Sequence, residues 1–421
     1  MLPTFLPGMI FYCTGTISAF TMSENRIVWC GRTSMRTGCD ILSGGGYQLP
    51  EGARVGLLAN QASVSSSLDH TAGIISRSGA ELACLFGPQH GPSGITQANM
   101  IEWEGYIDPQ LGIPVYSLYG KTRTPLPGML SGLDILVVDL QDVGARPYTY
   151  IWTALLMMRA CASAGLDMIV LDRPNPIGGT AVEGPVLEEG YESFVGLWPL
   201  PMRHGLTIGE ILLAINRGEP EPCTLEIVRM DGWKRDMLFA DTELPWVMPS
   251  PNVPTPDTAL VYPGMVLIEG TNFSEGRGTT RPFELTGAPW IDPMELTFVL
   301  ESASLPGASF RPAVFRPTFD KFTGEDCGGV QIHITDKAAF RPVLCAVAVI
   351  RAVSDLYPED FRWLDPPYEY ETEKPPIDII YGGPGLREGI DSGDAHDEIA
   401  SAWPGPLAAS LESRDAWLLY E

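Results

Sequence analysis

The sequence predicts an α/β protein: a Rossmann-like parallel sheet domain followed by a smaller C-terminal α+β domain. Near-continuous apolar runs of strand length recur from residue 54 onward, as expected of strands covered on both faces. A segment of helical period separates two of these runs, and several runs end in polar clusters, where open parallel sheets bind ligands. At 421 residues the chain exceeds the size of one hydrophobic core, so more than one domain is expected. The reading is an extension over residues 1–45, the sheet domain over 46–258 and the second domain over 259–421, with a cleft at their interface.

The opening "MLPTFLPGMIFYCTGTISAF" is apolar, but it has no Lys or Arg before its apolar stretch and is broken by Pro and Gly. It reads as a poorly ordered extension, with Met22 and Met35 as alternative starts, rather than as an export signal. A cytoplasmic protein with no membrane span is therefore expected. The strands follow as "RVGLLAN" (54–60), "ELACLFG" (81–87), "IPVYSLYG" (113–120), "LDILVVDL" (133–140) and "LDMIVLD" (166–172). Between the last two, residues 148–165 place Ile151, Leu155, Met158 and Ala162 on one helical face, with Gly165 as the stop. Thr207 and Glu210 have capping-box spacing at the start of a helix over 207–216, so Glu210 reads as a cap. Farther on, Pro- and Gly-rich loops at 249–257 and 269–284 precede a strand at 328–336 and a helix at 339–358; long loops in a compact protein usually shape a site.

With 27 Lys and Arg against 52 Asp and Glu, the net charge is −25, which disfavours nucleic acid and anionic lipid as partners. An anionic small molecule needs arginines gathered at contact range. The eight cysteines are scattered, without zinc spacing, and read as small buried hydrophobes in a reducing compartment; no metal and no cofactor is expected. There is no G-x-S-x-G, no phosphate-binding G-x-x-x-x-G-K-[ST] and no G-x-G-x-x-G after the first strand.

What remains are carboxylates, amides and arginines at strand ends. Asp142 and Arg146 stand four apart at a strand-to-helix turn, where an ion pair or cap is as reasonable as a ligand role, and Asp139 reads as structural. His90, on a tight turn between Gln89 and Gly91, is seldom needed for packing there. Glu183, Glu269, and Glu275 with Arg277 are set among glycines that allow close approach of a ligand. Glu102, between Asn99 and Trp103, combines acid, amide and aromatic surface, although an ordinary amphipathic turn explains it nearly as well.

The blocks "GPQHG", "DLQDVGARPYTYIWT", "VLDRPNPIGG", "VEGPVLEEGYESFVG", "PMRHGLTIGE", "PSPNVPTPDTALVYPG", "EGTNFSEGRGTTRPFELTGAPWID" and "CGGVQIHITD" resemble, in order, the signature blocks of the exo-β-N-acetylmuramidase family, from about Met35 to the C-terminus. The resemblance implies a bacterial peptidoglycan glycosidase of cell-wall recycling, and allows export as well as a cytoplasmic location. Such an enzyme releases N-acetylmuramic acid from non-reducing ends in a cleft between the two domains. It places Gln89, Asp142, Arg146, His204, Asn252, Asn272, Arg277 and Arg281 as substrate-binding candidates, the arginines answering the lactyl carboxylate. His90, Glu102, Glu183 and Glu275 are the catalytic candidates. Many members of the family carry Glu, a candidate catalytic carboxylate, where this chain has Gln89, and an amide cannot exchange a proton in that role; either another acid serves, Glu102 being the nearest in sequence, or this branch has altered or lost the chemistry. Glycoside hydrolysis otherwise asks for two flanking carboxyl groups, or for the substrate's own acetamide oriented by Gln89 or His90. A non-catalytic muropeptide binder, or a metal-dependent hydrolase built on His90, Asp142 and His204, are the competing readings.

Overall fold

The computed structural model describes Thr21–Ser23, Arg26–Val28 and all residues from Met35 to Glu421. The two short segments pair as an antiparallel ladder, with Thr21 opposite Val28. The expectation of a poorly ordered lead over residues 1–20 lies outside the described residues. Residues 35–421 form a separate unit.

In that unit residues 35–45, part of the expected extension, carry the helix α1 (Gly38–Ser43), closed by a Thr37/Asp40 capping box. Its Gly38 N–H donates to Asp172 O at 2.9 Å. A Cβ at Gly38 would meet the Asp172 nitrogen at 2.5 Å, so only glycine allows this approach.

Seven strands build the central sheet: β1 (Arg54–Ala59), β2 (Glu81–Gly87), β3 (Tyr106–Ile107), β4 (Pro114–Ser117), β5 (Ile135–Asp139), β6 (Asp167–Leu171) and, after a short antiparallel hairpin β7 (Glu183–Val186) and β8 (Pro201–Arg203), the last strand β9 (Leu225–Val228). Their order is β9-β6-β5-β1-β2-β4-β3, parallel throughout except for β3 at the edge. Leu57 pairs with Leu85 on one side and Val137 on the other. Val55, Leu57, Leu58, Val137 and Val138 are all buried, which accounts for the lack of alternation in the sequence runs. The helix predicted after β5 is α2 (Tyr150–Ala164), ended by Gly165 in the left-handed conformation at φ 67°. The one predicted after β8 is α3 (Ile208–Asn216), with the Thr207/Glu210 capping box in place.

The second half begins with α4 (Pro256–Met265) and adds an antiparallel sheet of β10 (Leu285–Ala288), β11 (Ala308–Phe315) and β12 (Cys327–Ile334), with β12 in the centre. Helix α5 (Pro342–Leu356), buried along most of its length, packs against α4. Gly264 makes this possible, since a Cβ there would fall 1.8 Å from Pro342 O. The same core cluster runs from Leu58 in the first sheet to Trp403 near the C-terminus, so the two halves share one apolar interior. Among the described residues no helix is long and apolar enough to cross a membrane.

Candidate active site

Because every strand but the edge strand β3 is parallel, the turns after β1, β2, β5 and β6 all lie on one rim of the sheet. Gln89, Asp142 and Asp172 therefore share that rim, but they do not share a site. Asp172 caps α3, accepting from Gly209 N at 3.0 Å, Thr207 Oγ1 at 2.7 Å and Tyr420 OH at 2.6 Å. Asp139 takes the fork of Arg173. Asp142 closes its own turn on Gly144 N at 2.7 Å and stands 3.3 Å from His204 Nε2. His204 Nδ1 in turn accepts from Leu206 N at 3.1 Å. Arg146 is wholly buried and donates to Leu200 O at 3.2 Å and Ile380 O at 2.8 Å. Burial pulls its guanidinium down to about 9, and it serves as a bracket tying the rim to the C-terminal segment. The charged side chains of "DLQDVGARPYTY" thus make their bonds within the fold.

The other half of that motif lines a pocket. Tyr148, Thr149 and Tyr150 face it together with Gln89, His90, Asn99, Asn252, Tyr262, Glu269, Arg277, Tyr368 and Glu369. Two carboxyl groups enter from the second half of the chain. Glu269 accepts three hydrogen bonds of 2.7 Å, from Arg277 Nη2, Asn99 Nδ2 and Tyr368 OH. Glu369 accepts from Tyr119 OH at 2.8 Å and from Gln89 Nε2 at 3.2 Å. It sits on a turn where both Glu369 and Tyr370 have positive φ, 44° and 72°, a costly backbone for residues other than glycine.

The amide of Gln89 is oriented by its neighbours. Thr149 Oγ1 donates to its Oε1 at 2.8 Å, so Nε2 must be the donor toward both Asn99 Oδ1 at 3.0 Å and Glu369. Asn99 then presents its own Nδ2 to Glu269. Two amides thereby link the two acids. Burial raises the Glu369 carboxyl to about 7 and the charge of Glu269 adds to this, outweighing the Tyr119 and Gln89 donors and the Arg123 charge that favour the anion. His90, at φ 68°, bonds Thr96 O through Nδ1 at 2.6 Å. Burial and the Arg277 charge lower it to about 4, so at neutral pH its Nδ1 carries the hydrogen and Nε2 is an acceptor.

Of the sequence candidates, Gln89, His90, Asn252 and Arg277 meet in the pocket. The others are placed elsewhere. Glu102 is exposed, accepting from Tyr370 OH at 3.0 Å with Arg123 at 3.7 Å. Glu183 accepts from Leu344 N at the start of α5, and burial raises it. Glu275 is buried, which alone would raise it, but Lys321 at 3.0 Å and Arg277 at 3.2 Å hold it below the usual carboxylate range. Asn272 ties Asp360 O and Arg362 N, and half-exposed Arg281 pairs with Glu284. His90 does not approach the Asp142–His204 pair, and among the described residues no group of three or more His, Cys, Asp or Glu side chains is placed to hold a metal ion. Glu369 escaped sequence reasoning because "PPYEYE" matches no acid-base motif; Glu269 stood out only for its glycine neighbour.

A parallel α/β sheet whose rim holds a tyrosine-lined pocket with two carboxyl groups defines the architecture of a glycosidase-type site. The comparisons agree with that class and narrow it. Models of the exo-β-N-acetylmuramidase NamZ N-terminal and C-terminal regions match residues 55–257 and 260–420, and the chain belongs to this family. It is 44% identical over 418 residues to the peptidoglycan β-N-acetylmuramidase NamZ of Bacillus subtilis strain 168, covering 99% of this chain and 98% of that one. Two crystal structures of DUF1343 family proteins from Bacteroides fragilis NCTC 9343 share the fold. One has a TM-score of 0.83 at 35% identity over 93% of this chain and 100% of that one. The other has 0.72 at 26% over 92% and 99%.

Proposed function

We infer that this chain is an exo-β-N-acetylmuramidase, a glycoside hydrolase that removes N-acetylmuramic acid from the non-reducing ends of peptidoglycan fragments. The observation that carries the reading is the pair Glu269 and Glu369 facing one pocket and joined through Gln89 and Asn99. Hydrolysis of a glycosidic bond needs a proton delivered to the leaving oxygen and an opposing carboxylate. Glu369, with its carboxyl raised to about 7, carries a proton near neutrality and is the donor. Glu269, on which a guanidinium, an amide and a phenol converge, is the opposing group. Gln89 serves as a fixed hydrogen-bond donor, which an amide does well and a proton shuttle does not require.

Arg277 is the arginine of the pocket and supplies the contact-range cation for a lactyl carboxylate. A cytoplasmic site of action on partly degraded wall fragments accords with free, buried cysteines at the six described positions. Incubation with a muramic-acid-terminated disaccharide tests the activity. Free N-acetylmuramic acid should appear, with no release from the matching glucosamine-terminated disaccharide. Binding without release would assign the chain to the non-catalytic binders.

A further inference from the structure

Glu369 and Tyr370 are the two central residues of a hairpin turn in which Tyr368 and Glu371 exchange N–H···O bonds of 2.9 Å. Positive φ at both centres, 44° and 72°, is the demand of a type I′ turn, which Asn-Gly meets at little cost. Glu-Tyr meets it only where the surroundings hold it. Arg123 supplies that hold. Its guanidinium carbon lies 3.3 Å from the centroid of the Tyr370 ring, 4.6 Å from that of Tyr119 and 5.6 Å from that of Phe194. Tyr119 meets Tyr370 edge-on at 6.1 Å and completes the stack. Hydrogen bonding explains little of this cation. Nη1 donates to Gly120 O at 2.5 Å, Glu102 stands off at 3.7 Å, and among the described residues Nε and Nη2 are buried without a hydrogen-bond partner. Unfilled donors are a cost, and what the guanidinium gains in return is ring faces. One ring carries the hydroxyl that donates to Glu369 at 2.8 Å; the other belongs to the residue that follows it.

We propose that Arg123 is a positioning residue for the hydrolysis: stacked on Tyr370 and Tyr119 together, it fixes the turn so that the Glu369 carboxyl stays against the Tyr119 hydroxyl and faces the pocket. Arg123 itself is not among the pocket lining, so it acts through the two rings. The proposal rests on the reading of Glu369 as the proton donor and adds the residue that holds it there. A loosened turn admits water to Glu369 and weakens the burial that raises its carboxyl. It also leaves the acid less often in line with the leaving oxygen, so the loss falls on turnover rather than on binding.

Arg123→Lys keeps the positive charge and loses the flat face, so its effects report the stack. With a muramic-acid-terminated disaccharide, kcat should fall about fivefold, the scale of one cation–π contact, with KM within about twofold and the alkaline limb of kcat/KM moved to lower pH. Tyr370→Leu should do the same, and Tyr370→Phe, which keeps the ring, should restore turnover. Combining Arg123→Lys with Tyr370→Leu should lose little more than either alone. A limb in its wild-type place, or losses that multiply, would overturn the proposal. A second measurement needs no turnover. Glu269, Tyr119, Tyr368, His90 and Arg277 face the same pocket as Glu369 or bond to it, so Glu369→Gln serves as the reference background. The raised carboxyl penalises the folded state as pH rises from 4.5 through about 7, and a Glu369 returned toward 4.5 loses part of that penalty. Arg123→Lys should therefore shrink the fall in Tm between pH 5 and pH 8 in the wild-type background and leave it unchanged in the Glu369→Gln background. The same effect in both backgrounds, or none in either, would refute the clamp. A wild-type chain that releases no N-acetylmuramic acid would sink the activity reading instead, and the melts alone would then decide whether Arg123 holds Glu369.

Discussion

The amide nitrogen of Gln89 lies 3.2 Å from Glu369 Oε1, across 280 residues of chain. This contact joins the rim of the parallel sheet to a strained turn near the C-terminus, and it makes the acid chemistry of the site a product of both halves. Its direction is set by Thr149, which occupies the amide oxygen and leaves only donors for Asn99 and Glu369.

Replacing this donor by an acid should therefore hurt. Gln89→Glu puts a second carboxyl against Glu369, removes the donor to Asn99 and adds like charge to a group that Glu269 already raises. The expected result is a loss of about tenfold or more in kcat/KM at pH 7, the scale of one buried hydrogen bond, with the alkaline limb of the pH profile moved upward. A profile in the same place with equal or higher turnover would mean that Gln89 does not govern Glu369.

The pH dependence has a definite sign. If Glu369 must hold a proton, kcat/KM falls as pH rises through about 7, since that limb reports the free enzyme's acid. Stability follows the same group. Its folded value, about 7, lies above the ordinary 4.5, so protonation favours the folded state, and the folded state is penalised progressively as pH rises from 4.5 through 7. Glu369→Gln, a mimic of the protonated acid, should raise Tm relative to wild type at pH 8, by an amount that shrinks below pH 5. Thermal melts at the two pH values check this, and a lower Tm for the variant at pH 8 would count against it.

Arg146 and Arg277, both buried, should separate cleanly. Arg146 holds backbone carbonyls and is not among the pocket lining, so Arg146→Ala orphans buried acceptors and should cost about 3 kcal/mol of stability, without changing the preference for muramide over glucosaminide. Arg277 lines the pocket, so Arg277→Lys, which keeps the charge but loses the fork, should weaken turnover of the muramide more than binding of the glucosaminide. Equal effects on the two sugars would remove Arg277 from carboxylate recognition.

The sheet was legible because burial on both faces writes itself as uninterrupted Val, Leu and Ile, and each of the five runs read from the sequence became a strand. Strand β9, "LEIV", was not legible: four residues with an acid among them, at the edge of the sheet, carry no such signal. Of the site, Gln89, His90, Asn252 and Arg277 could be found because motifs surround them. Asp142 and Arg146 were conspicuous for the same reason, yet charged residues at strand ends are as often needed to satisfy buried carbonyls and helix ends as to meet a ligand. Glu369 could not be found, because its environment is made by Tyr119 and Gln89, some 250 and 280 residues away. That environment exists only in the folded chain.

The central claim is that Glu269 and Glu369 are the two working carboxyl groups. Steady-state release of N-acetylmuramic acid by Glu369→Gln and Glu269→Gln, compared with Glu102→Gln, Glu183→Gln and Glu275→Gln at matched folded concentration, tests it directly. The first two should each lose ~10²-fold or more in kcat, the scale of general acid–base catalysis, while Glu102→Gln stays near wild type. Near-normal turnover by Glu369→Gln, with the loss falling on Glu102→Gln or Glu183→Gln instead, would contradict the account.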